Sequence, residues 1–443
     1  MSKIDDLIQE YCPDGVEYKS LWEVTIWDKK FNAVSKEKQK NIVKYHYFLA
    51  NELDEVKDEK NKGDIKILNT YKSDYRTSLG ILSHFERCGK VSEGEVVAIP
   101  WGGNPIVQYY KGKFITGDNR IATSIDTSIL NNKYLYYCML NNLSEISSFY
   151  RGSGIKHPDM AKVLDLKIPV PPIQVQNEVV NILDKFTELQ AELQAELQAR
   201  VKQYEWYRND LLSFKDKNAT KIVIKLLFWL HNRRIEDFEK SLVVLEKFVE
   251  DWQNNNCKIE KKNISDISLV TIGEFVRKDK QNENGLYPVY NGGISNTGYY
   301  DDFNMTKNKI IMSARGANAG FVNKVETDYW AGNSCYSIEV IDENVNWNYL
   351  FYVMKNSERL FISNQQTASI PSVSKKQVET FEVYIPPIDV QNAIVNILDT
   401  FYNYSQDING ILPKEIEKRK LQYEYYRNSL LNFKDIAEVQ KAL

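Results

Sequence analysis

The chain has 443 residues, 43% of them hydrophobic and 26% charged, and a formal net charge of −3 at pH 7. This composition supports folded cores and excludes a disordered chain, and the length suits two to four domains. Proteins that coat nucleic acid without specificity are usually basic, so the charge excludes that class unless basic residues are confined to particular faces.

The cysteines and histidines show none of the spacings that predict a metal or disulfide site. Five cysteines and four histidines are dispersed along the chain, and no Cys-x-x-Cys pair occurs. We therefore expect no disulfide framework and no metal site. The N-terminus has no apolar signal segment, and the most apolar stretch, residues 222–230, is too short to span a bilayer. The sequence predicts a soluble cytoplasmic protein with no membrane partner.

The first 170 residues alternate short apolar runs with turn signals. Residues 96–100 and 113–117 have the composition of strands, and residues 131–139 suit either a helix or a buried strand. Three prolines follow between positions 169 and 172, and proline cannot continue a helix interior or a central strand. We therefore predict a mixed α/β domain over residues 1–170.

A long helix is predicted over residues 174–214, because apolar residues recur there every three or four positions. About 40 residues make a rod of roughly 60 Å, which needs a partner along its length, so we predict a coiled coil. Its centre repeats the unit Ala-Glu-Leu-Gln, which interrupts a strict heptad. The apolar stripe comprises Val175, Val179, Ile182, Phe186, Leu189, Leu193, Leu197, Val201, Tyr204 and Leu211.

An insert or linker follows this helix. Apolar residues lie in it on a helical period, at residues 243–245, Phe248 and Trp252, so we predict a packing helix pair or a tether. In chain order we predict a first α/β domain (1–170), a central helical spacer (171–215), the helical insert (216–260), a second α/β domain (261–385) and a C-terminal helical region (386–443).

The C-terminal helical region is interrupted. Gly410 is suited to stop a helix, and Pro413 suits the first turn of a new one. We predict two helical segments, or one kinked helix, ending at Phe433.

The chain contains the same tract twice. Residues 171–186 read PPIQVQNEVVNILDKF, and residues 386–401, which lie 215 positions later, read PPIDVQNAIVNILDTF. Residues 203–209 (QYEWYRN) likewise match residues 422–428 (QYEYYRN), and Ile155 matches Ile370. A repeat this long indicates a duplicated domain with its helix rather than a solenoid of short units.

The sequence lacks the motifs that carry catalysis. It has no G-x-x-x-x-G-K-[ST], no H-E-x-x-H, no G-x-S-x-G, and no G-x-G-x-x-G after a strand. Both Pro-Pro pairs precede Ile, unlike the Asn/Asp-Pro-Pro-aromatic tetrad of amino-methyltransferases. The glycine-rich residues 315–320 suit either a loop that closely approaches a ligand or a tight turn between strands. We predict no catalytic residue.

The repeated tracts resemble the conserved regions of the specificity (S) subunits of Type I restriction-modification systems. Residues 11–19 (YCPDGVEYK) resemble the start of many such subunits, and the Ala-Glu-Leu-Gln units resemble the repeats of their central helix. The resemblance covers nearly the whole chain apart from residues 219–253. It implies an α+β fold, in which two similar α/β target recognition domains are separated by long helices that pair as an antiparallel coiled coil.

The resemblance also implies a function. Each α/β domain would read one half of a bipartite, asymmetric site in double-stranded DNA. The helices would dock two DNA-methyltransferase subunits and, where present, motor-nuclease restriction subunits. The chain itself would catalyse nothing and bind no cofactor, because S-adenosylmethionine, ATP and Mg²⁺ belong to the partner subunits.

Polar loops of the two α/β domains are the candidate DNA contacts. Arg, Lys, Asn and Gln read base edges, and Lys, Arg, Ser and Thr bind phosphates. The loops near 150–157 and 365–370 match in position and differ in polar content, as two readers of different sequences would. The first-domain candidates are Trp101, Asn104, Tyr109, Tyr110, Lys111, Arg151, Ser153, Lys156 and His157. The second-domain candidates are Asn291, Ser295, Asn296, Arg315, Asn318, Gln365, Gln366, Thr367 and Ser369.

Two other functions stay open at this point. A catalytic DNA methyltransferase or nuclease would be active as the purified chain alone, and the missing motifs argue against it. A coiled-coil adaptor without DNA specificity would show no sequence-dependent binding even with methyltransferase subunits present.

Overall fold

The computed structural model describes residues 3–58, 62–70, 75–82, 91–214, 220–221, 223–225, 236–282, 284–365, 370–405 and 411–437. The chain divides into two compact units. Unit 1 comprises Met1–Glu192 and Ile416–Leu443, and unit 2 comprises Leu193–Glu415. Each unit therefore contains one α/β domain together with helical residues from both halves of the chain.

Unit 1 contains the first α/β domain. Its helices are α1 (Lys3–Tyr11), α2 (Leu21–Val24), α3 (Ala50–Glu55), α4 (Leu79–Leu82), α5 (Asn132–Asn141), α6 (Leu143–Ser148), α7 (Met160–Asp165) and the first part of α8 (Ile173–Ser213), with a 3₁₀ helix at Lys36–Gln39. Its strands are β1 (Tyr18–Ser20), β2 (Thr25–Trp27), β3 (Ile65–Leu68), β4 (Arg76–Thr77), β5 (Ser92–Pro100), β6 (Gln108–Thr116), β7 (Asn119–Ser124), β8 (Tyr150–Arg151), β9 (His157–Pro158) and β10 (Lys167–Pro169).

Six strands form the main sheet of unit 1, in the order β2-β7-β5-β6-β3-β4. Neighbours are antiparallel except β3 and β6, which are parallel. Strand β5 can be central because residues 96–100 are all buried, and a strand covered on both faces needs a continuous apolar run. The strands predicted at 96–100 and 113–117 are confirmed as parts of β5 and β6.

Residues 131–139, for which the sequence left helix and strand open, belong to helix α5 and its cap. The Asn131 side chain accepts hydrogen bonds from the backbone N–H groups of Lys133 (2.7 Å) and Tyr134 (3.2 Å). These bonds satisfy donors that a helix leaves unpaired at its start. Tyr134 and Leu135 are fully buried, and α5 packs against β5.

Unit 2 contains the second α/β domain. Its helices are the rest of α8, then α9 (Glu236–Gln253), α10 (Ile264–Ile267), α11 (Trp347–Asn356), α12 (Glu358–Ser363), α13 (Lys375–Glu379) and α14 (Ile388–Ser405), with a 3₁₀ helix at Lys278–Lys280. Its strands are β11 (Glu260–Asn263), β12 (Ser268–Ile272), β13 (Tyr287–Tyr290), β14 (Gly298–Tyr300), β15 (Lys309–Ser313), β16 (Val322–Val325), β17 (Trp330–Ala331), β18 (Cys335–Val340) and β19 (Glu382–Ile385). Helix α15 (Ile411–Leu430) follows and lies mostly in unit 1.

The two α/β domains share a strand order. The main sheet of unit 2 runs β12-β18-β15-β16, which corresponds to β2-β7-β5-β6 of unit 1. All of these neighbours are antiparallel, and the strand pairs β1–β10 and β11–β19 also correspond. Unit 1 extends its sheet with β3 and β4, whereas unit 2 adds a separate sheet, β14-β13-β17. The duplication predicted from the sequence is therefore present in the fold.

The repeated Pro-Pro tract is built around a fully buried glutamine. The Gln176 Oε1 accepts from the Asn131 backbone N–H at 2.9 Å, and its Nε2 donates to the carbonyls of Ile129 and Pro171, both at 2.7 Å. In unit 2 the fully buried Gln391 accepts from the Asn346 N–H at 2.9 Å. Its Nε2 donates to the Asn344 carbonyl (2.9 Å) and the Pro386 carbonyl (2.7 Å). The tract therefore fixes the start of each long helix to its own α/β domain.

The second repeated tract also serves an α/β domain in each unit. Arg427 of α15 donates through Nε to the Asn141 Oδ1 at 3.2 Å, at the end of α5 in unit 1. Arg208 of α8 donates through Nε to the Asn356 Oδ1 at 3.0 Å, at the end of α11 in unit 2. The matching arginines therefore reach matching helix ends.

Helices α8 and α15 run antiparallel where they meet inside unit 1. The Phe186 ring stacks on the Tyr426 ring with centroids 5.1 Å apart. One turn further along α8, the Gln190 Nε2 donates to the Arg419 carbonyl at 3.3 Å. The residue number of the contact on α15 falls as that on α8 rises, so the two helices are antiparallel here, as the coiled-coil prediction required.

The middle of the apolar stripe on α8 is only partly covered. Leu189 is 36% exposed, and Leu193 and Leu197 are half-buried. From the sequence we expect these leucines and Val201 to face Tyr404, Ile408 and Ile416. Ile408 and the side chain of Tyr404 lie outside the described residues. The stripe is anchored at Val179 and Leu211, which are almost fully buried.

The C-terminal helical region consists of two helices, α14 and α15, with Pro413 in the first turn of α15 as predicted. The predicted end at Phe433 is wrong, because α15 ends at Leu430. The Phe433 carbonyl accepts from the Tyr18 hydroxyl at 2.9 Å, and the Val16 backbone N–H donates to the Lys434 carbonyl at 2.8 Å. The carbonyls of Phe433 and Lys434 therefore bond to residues near the N-terminus and not to a further turn of α15.

Helix α9, in the predicted insert, has a counterpart in unit 1. It precedes β11 as α1 precedes β1, and it packs against α14, with Phe238 and Phe401 ring centroids 6.0 Å apart. In unit 1, the Lys3 Nζ of α1 lies 2.5 Å from the Glu178 Oε2 of α8. This part of the insert is therefore a longer form of the N-terminal helix and confirms the predicted packing helix.

Candidate nucleic-acid interface

Two predicted loops of the first α/β domain lie against each other. Residues 101–104, here called glycine loop 1, follow β5, and residues 151–157, here called tip loop 1, join β8 to β9. The Gly103 N–H donates to the Lys156 carbonyl at 3.1 Å, and the His157 Nδ1 lies 2.7 Å from the Trp101 carbonyl. The structure therefore brings together candidates that the sequence placed 50 residues apart.

Tip loop 1 is a short exposed hairpin. Arg151 pairs with His157 across the two strands, and both are exposed, as are Ser153 and Lys156. Gly152 has a φ of 145°, and a Cβ there would lie 2.7 Å from the Ile155 carbonyl oxygen. Only glycine fits this position without strain. The loop therefore presents two cations, a hydroxyl and an imidazole from a constrained backbone.

A buried arginine supports Trp101, and the sequence gave no sign of it. The guanidinium carbon of Arg120 lies 3.9 Å from the Trp101 ring centroid, while Arg120 is 7% exposed. Burial lowers the pKa of Arg120, and the nearby carboxylates of Asp28 and Asp118 oppose that shift. Burial also raises the pKa of Asp28, whose Oδ1 accepts from the Ile121 N–H at 2.9 Å. Arg120 is therefore held in place to orient the half-buried indole.

Three further candidates of the first domain lie on strand β6 rather than on the loops. The Tyr109 hydroxyl donates to the Glu95 Oε1 at 2.7 Å, and its ring faces Tyr136 of α5 at 5.8 Å. Burial raises the pKa of Tyr109. The Lys111 Nζ lies 3.4 Å from the Glu95 Oε2, and Tyr110 packs edge-on against Phe114. These three residues stay predictions. Asn104, which is exposed on glycine loop 1, also stays a prediction.

The second α/β domain repeats the loop pair. Residues 315–320, here called glycine loop 2, connect the antiparallel strands β15 and β16. The close approach of this loop to a ligand stays a prediction. Residues 365–372 are here called tip loop 2. The Gly316 N–H donates to the Pro371 carbonyl at 2.9 Å, which corresponds to the Gly103–Lys156 bond of the first domain. Arg315 is exposed and Asn318 half-buried on the turn.

Other second-domain candidates support or adjoin this turn. The Asn291 Oδ1 accepts from the Ser334 N–H at 3.1 Å, and the Ser313 hydroxyl donates to the Gly293 carbonyl at 3.2 Å, so the loop after β13 lies beside glycine loop 2. Ser295 is exposed and Asn296 half-buried. The Gln365 Nε2 donates to the Ala319 carbonyl. Gln366, Thr367 and Ser369 lie outside the described residues.

Sequence reasoning also missed a basic segment after β2. Residues 28–46 contain six lysines and two acidic residues, although the whole chain is acidic. The segment reaches glycine loop 1, because the Tyr47 hydroxyl donates to the Asp118 Oδ1 at 2.6 Å and the Trp101 N–H donates to the Asp118 carbonyl at 2.7 Å. The local lysine density was the available signal. The exposed lysines of this segment are Lys30, Lys36, Lys40 and Lys44.

The second domain has basic residues at the corresponding place after β12. Arg277, Lys278 and Lys280 are exposed there. The Trp330 Nε1 donates to the Glu274 carbonyl at 2.8 Å, and the Glu274 N–H donates to the Ala331 carbonyl at 2.8 Å. Ala331 directly precedes Gly332, whose backbone lies against Asn291. Exposed cations therefore occur in the segments that follow β2 and β12, and such cations suit phosphate groups.

Metal-binding clusters and membrane-spanning helices are both absent from the described residues. Among the described residues, no group of three or more His, Cys, Asp or Glu side chains is placed to hold a metal ion. Over the same residues, no helix combines the length and apolar character needed to cross a bilayer.

The chain matches a known family over most of its length. Residues 48–203 and 256–418 each match the model of the Type I restriction modification DNA specificity domain. The chain is 29% identical to the EcoR124I/EcoR124II specificity subunit of Escherichia coli, over 71% of this chain and 74% of that protein. It is also 29% identical to a putative type I restriction enzyme specificity subunit of Haemophilus influenzae, over 78% and 84%.

Solved structures agree on the fold. The S subunit of the Type I restriction-modification system from M. genitalium superposes with a TM-score of 0.56 at 16% identity, covering 94% of this chain and 96% of that one. A chain from a structure of the type I R-M system gives 0.53 at 12% identity, covering 94% and 98%. With two copies of the domain matched, the chain belongs to the family of Type I restriction-modification specificity subunits.

Proposed function

We propose that this chain reads a bipartite, asymmetric site in double-stranded DNA, with one half-site for each α/β domain. It docks two DNA-methyltransferase subunits and, where present, motor-nuclease restriction subunits. The chain performs no chemistry itself, and S-adenosylmethionine, ATP and Mg²⁺ are bound by the partner subunits.

The observation that carries this proposal is the repeated loop pair. In each domain a glycine-loop N–H donates to a tip-loop carbonyl, at 3.1 Å in the first domain and 2.9 Å in the second. The side chains on these common backbones differ, since Gly102 stands where the second domain has Arg315, and His157 where it has Ser372. A shared scaffold with different donors and acceptors suits two readers of different base sequences.

The charge distribution supports DNA rather than a protein as the ligand of these loops. Exposed lysines and arginines occur in both domains, in residues 28–46 and residues 277–280. Phosphate contacts of this kind fix the register of a protein on the duplex, and base contacts then supply specificity.

The repeated helical tracts support docking of two similar subunits. Trp206 on α8 is 48% exposed, and Tyr425 at the matching position on α15 is 69% exposed. Aromatic residues are enriched in the buried centres of protein interfaces. Exposed aromatic residues at matching positions of two helices suit two copies of one partner.

A domain exchange tests the proposal. Residues 261–385 are replaced by the matching domain of a relative, and methylated adenine is mapped across the genome of cells that carry the complete system. We expect one half-site to change and the other to persist. A coiled-coil adaptor would leave the methylated sequence unchanged, and methylation by the purified chain alone would reveal a catalytic enzyme.

Arg315 offers a sharper test within one domain. If it reads a base, Arg315→Ala in the assembled methyltransferase complex should weaken binding to the cognate duplex by roughly 1–3 kcal/mol, and weaken binding to random DNA less. Arg359→Ala is the control, because Arg359 is exposed on α12 of the same unit. Equal affinities of the Arg315→Ala and parent complexes for cognate DNA would remove Arg315 from the reading surface.

A further inference from the structure

An exposed isoleucine occupies the same place in both tip loops. Ile155 is 69% exposed and Ile370 is 63% exposed. The residues on either side differ, because Ile155 lies between Gly154 and Lys156, whereas Ile370 precedes Pro371. The two domains therefore keep an apolar side chain at this position while their polar side chains change.

The backbone next to each isoleucine is fixed. The carbonyl of the following residue, Lys156 or Pro371, accepts the hydrogen bond from the glycine loop of its domain. In the first domain the side chain also lies close to the glycine loop, because a Cβ on Gly102 would be 2.9 Å from the Ile155 Cγ2. A β-branched side chain has few χ1 rotamers, so each isoleucine is presented in a restricted orientation.

Single exposed apolar residues are common and need no special explanation. This pair differs because the same residue recurs at one structural position whose neighbours have diverged. A residue that read sequence would be expected to differ between domains that read different half-sites. The retained isoleucine therefore indicates a task common to both domains.

We propose that Ile155 and Ile370 are apolar wedges that enter a DNA groove beside each half-site and contact sugars and base edges without reading their sequence. The proposal rests on the function proposed above. We choose duplex DNA as the ligand of these isoleucines because each tip loop contains or adjoins cations. Arg151 and Lys156 lie in tip loop 1, and Arg315 pairs with Ser372 of tip loop 2.

The chemistry of isoleucine suits this role. Apolar wedges such as Ile, Leu and Phe contact or separate base steps in other DNA-binding proteins. Ordering an isoleucine costs less side-chain entropy than ordering a lysine or an arginine. Burial of the side chain against sugars and base edges removes apolar surface from water and releases no counterion.

The test replaces each isoleucine by threonine, which keeps the β-branch and substitutes a hydroxyl. Ile155→Thr and Ile370→Thr are made in the full chain and assembled with methyltransferase subunits. The controls are Ile125→Thr and Ile341→Thr, at isoleucines that are 51% and 62% exposed away from the tip loops. Binding is measured to the duplex identified by methylated-adenine mapping and to a random duplex of equal length.

We expect each tip-loop variant to bind both duplexes about tenfold more weakly, because threonine lacks the two-carbon ethyl branch that isoleucine would bury against DNA. The methylated sequence and the salt dependence of binding should stay unchanged, and the controls should match the parent. Circular dichroism checks that each variant is folded, and Ile155→Ala and Ile370→Ala provide second variants.

Several results would overturn the wedge. Parent-like affinity of all four tip-loop variants would do so, as would a loss confined to one base position, which would indicate contact with a thymine methyl group. Weaker assembly with methyltransferase at unchanged DNA affinity would assign the isoleucines to a protein interface. A parent complex that binds no duplex would overturn the proposed function itself, and the wedge with it.

Discussion

At the scale of single residues, Gln176 and Gln391 explain why the Pro-Pro tracts match so closely. Each amide accepts one backbone hydrogen bond and donates two, at a fully buried junction between a long helix and its α/β domain. A carboxylate could accept but could not donate, and an apolar residue could do neither. The surrounding backbone therefore requires an amide side chain of this length.

Gln176→Glu should consequently be among the more destabilising single changes in unit 1. It would place an ionised carboxylate against the carbonyls of Ile129 and Pro171, and an uncompensated buried charge costs about 3–5 kcal/mol. Gln174→Glu is the matched control, because Gln174 is exposed two residues earlier on the same helix. Urea unfolding followed by circular dichroism gives the midpoints. Equal midpoints for the two variants would contradict this account.

The candidate interface shows what the sequence can and cannot give at this scale. The tip loops could be predicted because they match in position and differ in polar content. Arg120 could not, because a single arginine in an apolar strand does not reveal that Trp101 lies 3.9 Å away. The strand position of Tyr109 and its bond to Glu95 likewise depend on the pairing of β5 with β6, which the local sequence does not specify.

At the scale of elements, periodicity predicted the long helix to within one residue at each end, because its apolar stripe runs almost unbroken. It could not assign the two parts of α8 to different units, since that depends on which domain each part contacts. Nor could it relate α9 to α1, because the two helices have 18 and nine residues and share little sequence. Their equivalence lies in chain position and packing.

Uneven burial along α8 gives a graded expectation for a charge in the stripe. Val179 is fully buried, so Val179→Asp should cost about 3–5 kcal/mol. Leu193 is half-buried, and water can reach part of a carboxylate there, so Leu193→Asp should cost about 1 kcal/mol. Helix propensity alone would make Leu193→Asp the costlier change, because leucine favours helices more than valine does, so propensity cannot produce the expected order. Denaturant midpoints measure the difference, and a larger loss for Leu193→Asp would refute the uneven seam.

At the scale of the whole molecule, a net charge of −3 has to be reconciled with a polyanionic ligand. We infer that position does this, because exposed lysines cluster after β2 and basic residues recur after β12. Total charge governs solubility and long-range attraction, whereas contacts with phosphates depend on where the cations lie. The removal of two positive charges should therefore weaken DNA binding in the segment after β2 and leave it unchanged in α9.

Salt dependence can separate these two effects. Lys36→Gln with Lys40→Gln removes two exposed cations of the segment after β2, and Lys240→Gln with Lys247→Gln removes two exposed cations of α9, so the net charge changes equally. Each lost phosphate contact reduces the slope of log K against log salt by about 0.9, so the first pair should lower it by up to about 2. The second pair should leave the slope unchanged. The measurement uses the assembled methyltransferase complex with cognate and with random duplexes. The double variant Lys36→Gln with Lys40→Gln should weaken binding to both duplexes by the same factor. Equal slopes for the two double variants would show that only total charge matters and that the segment after β2 does not contact DNA.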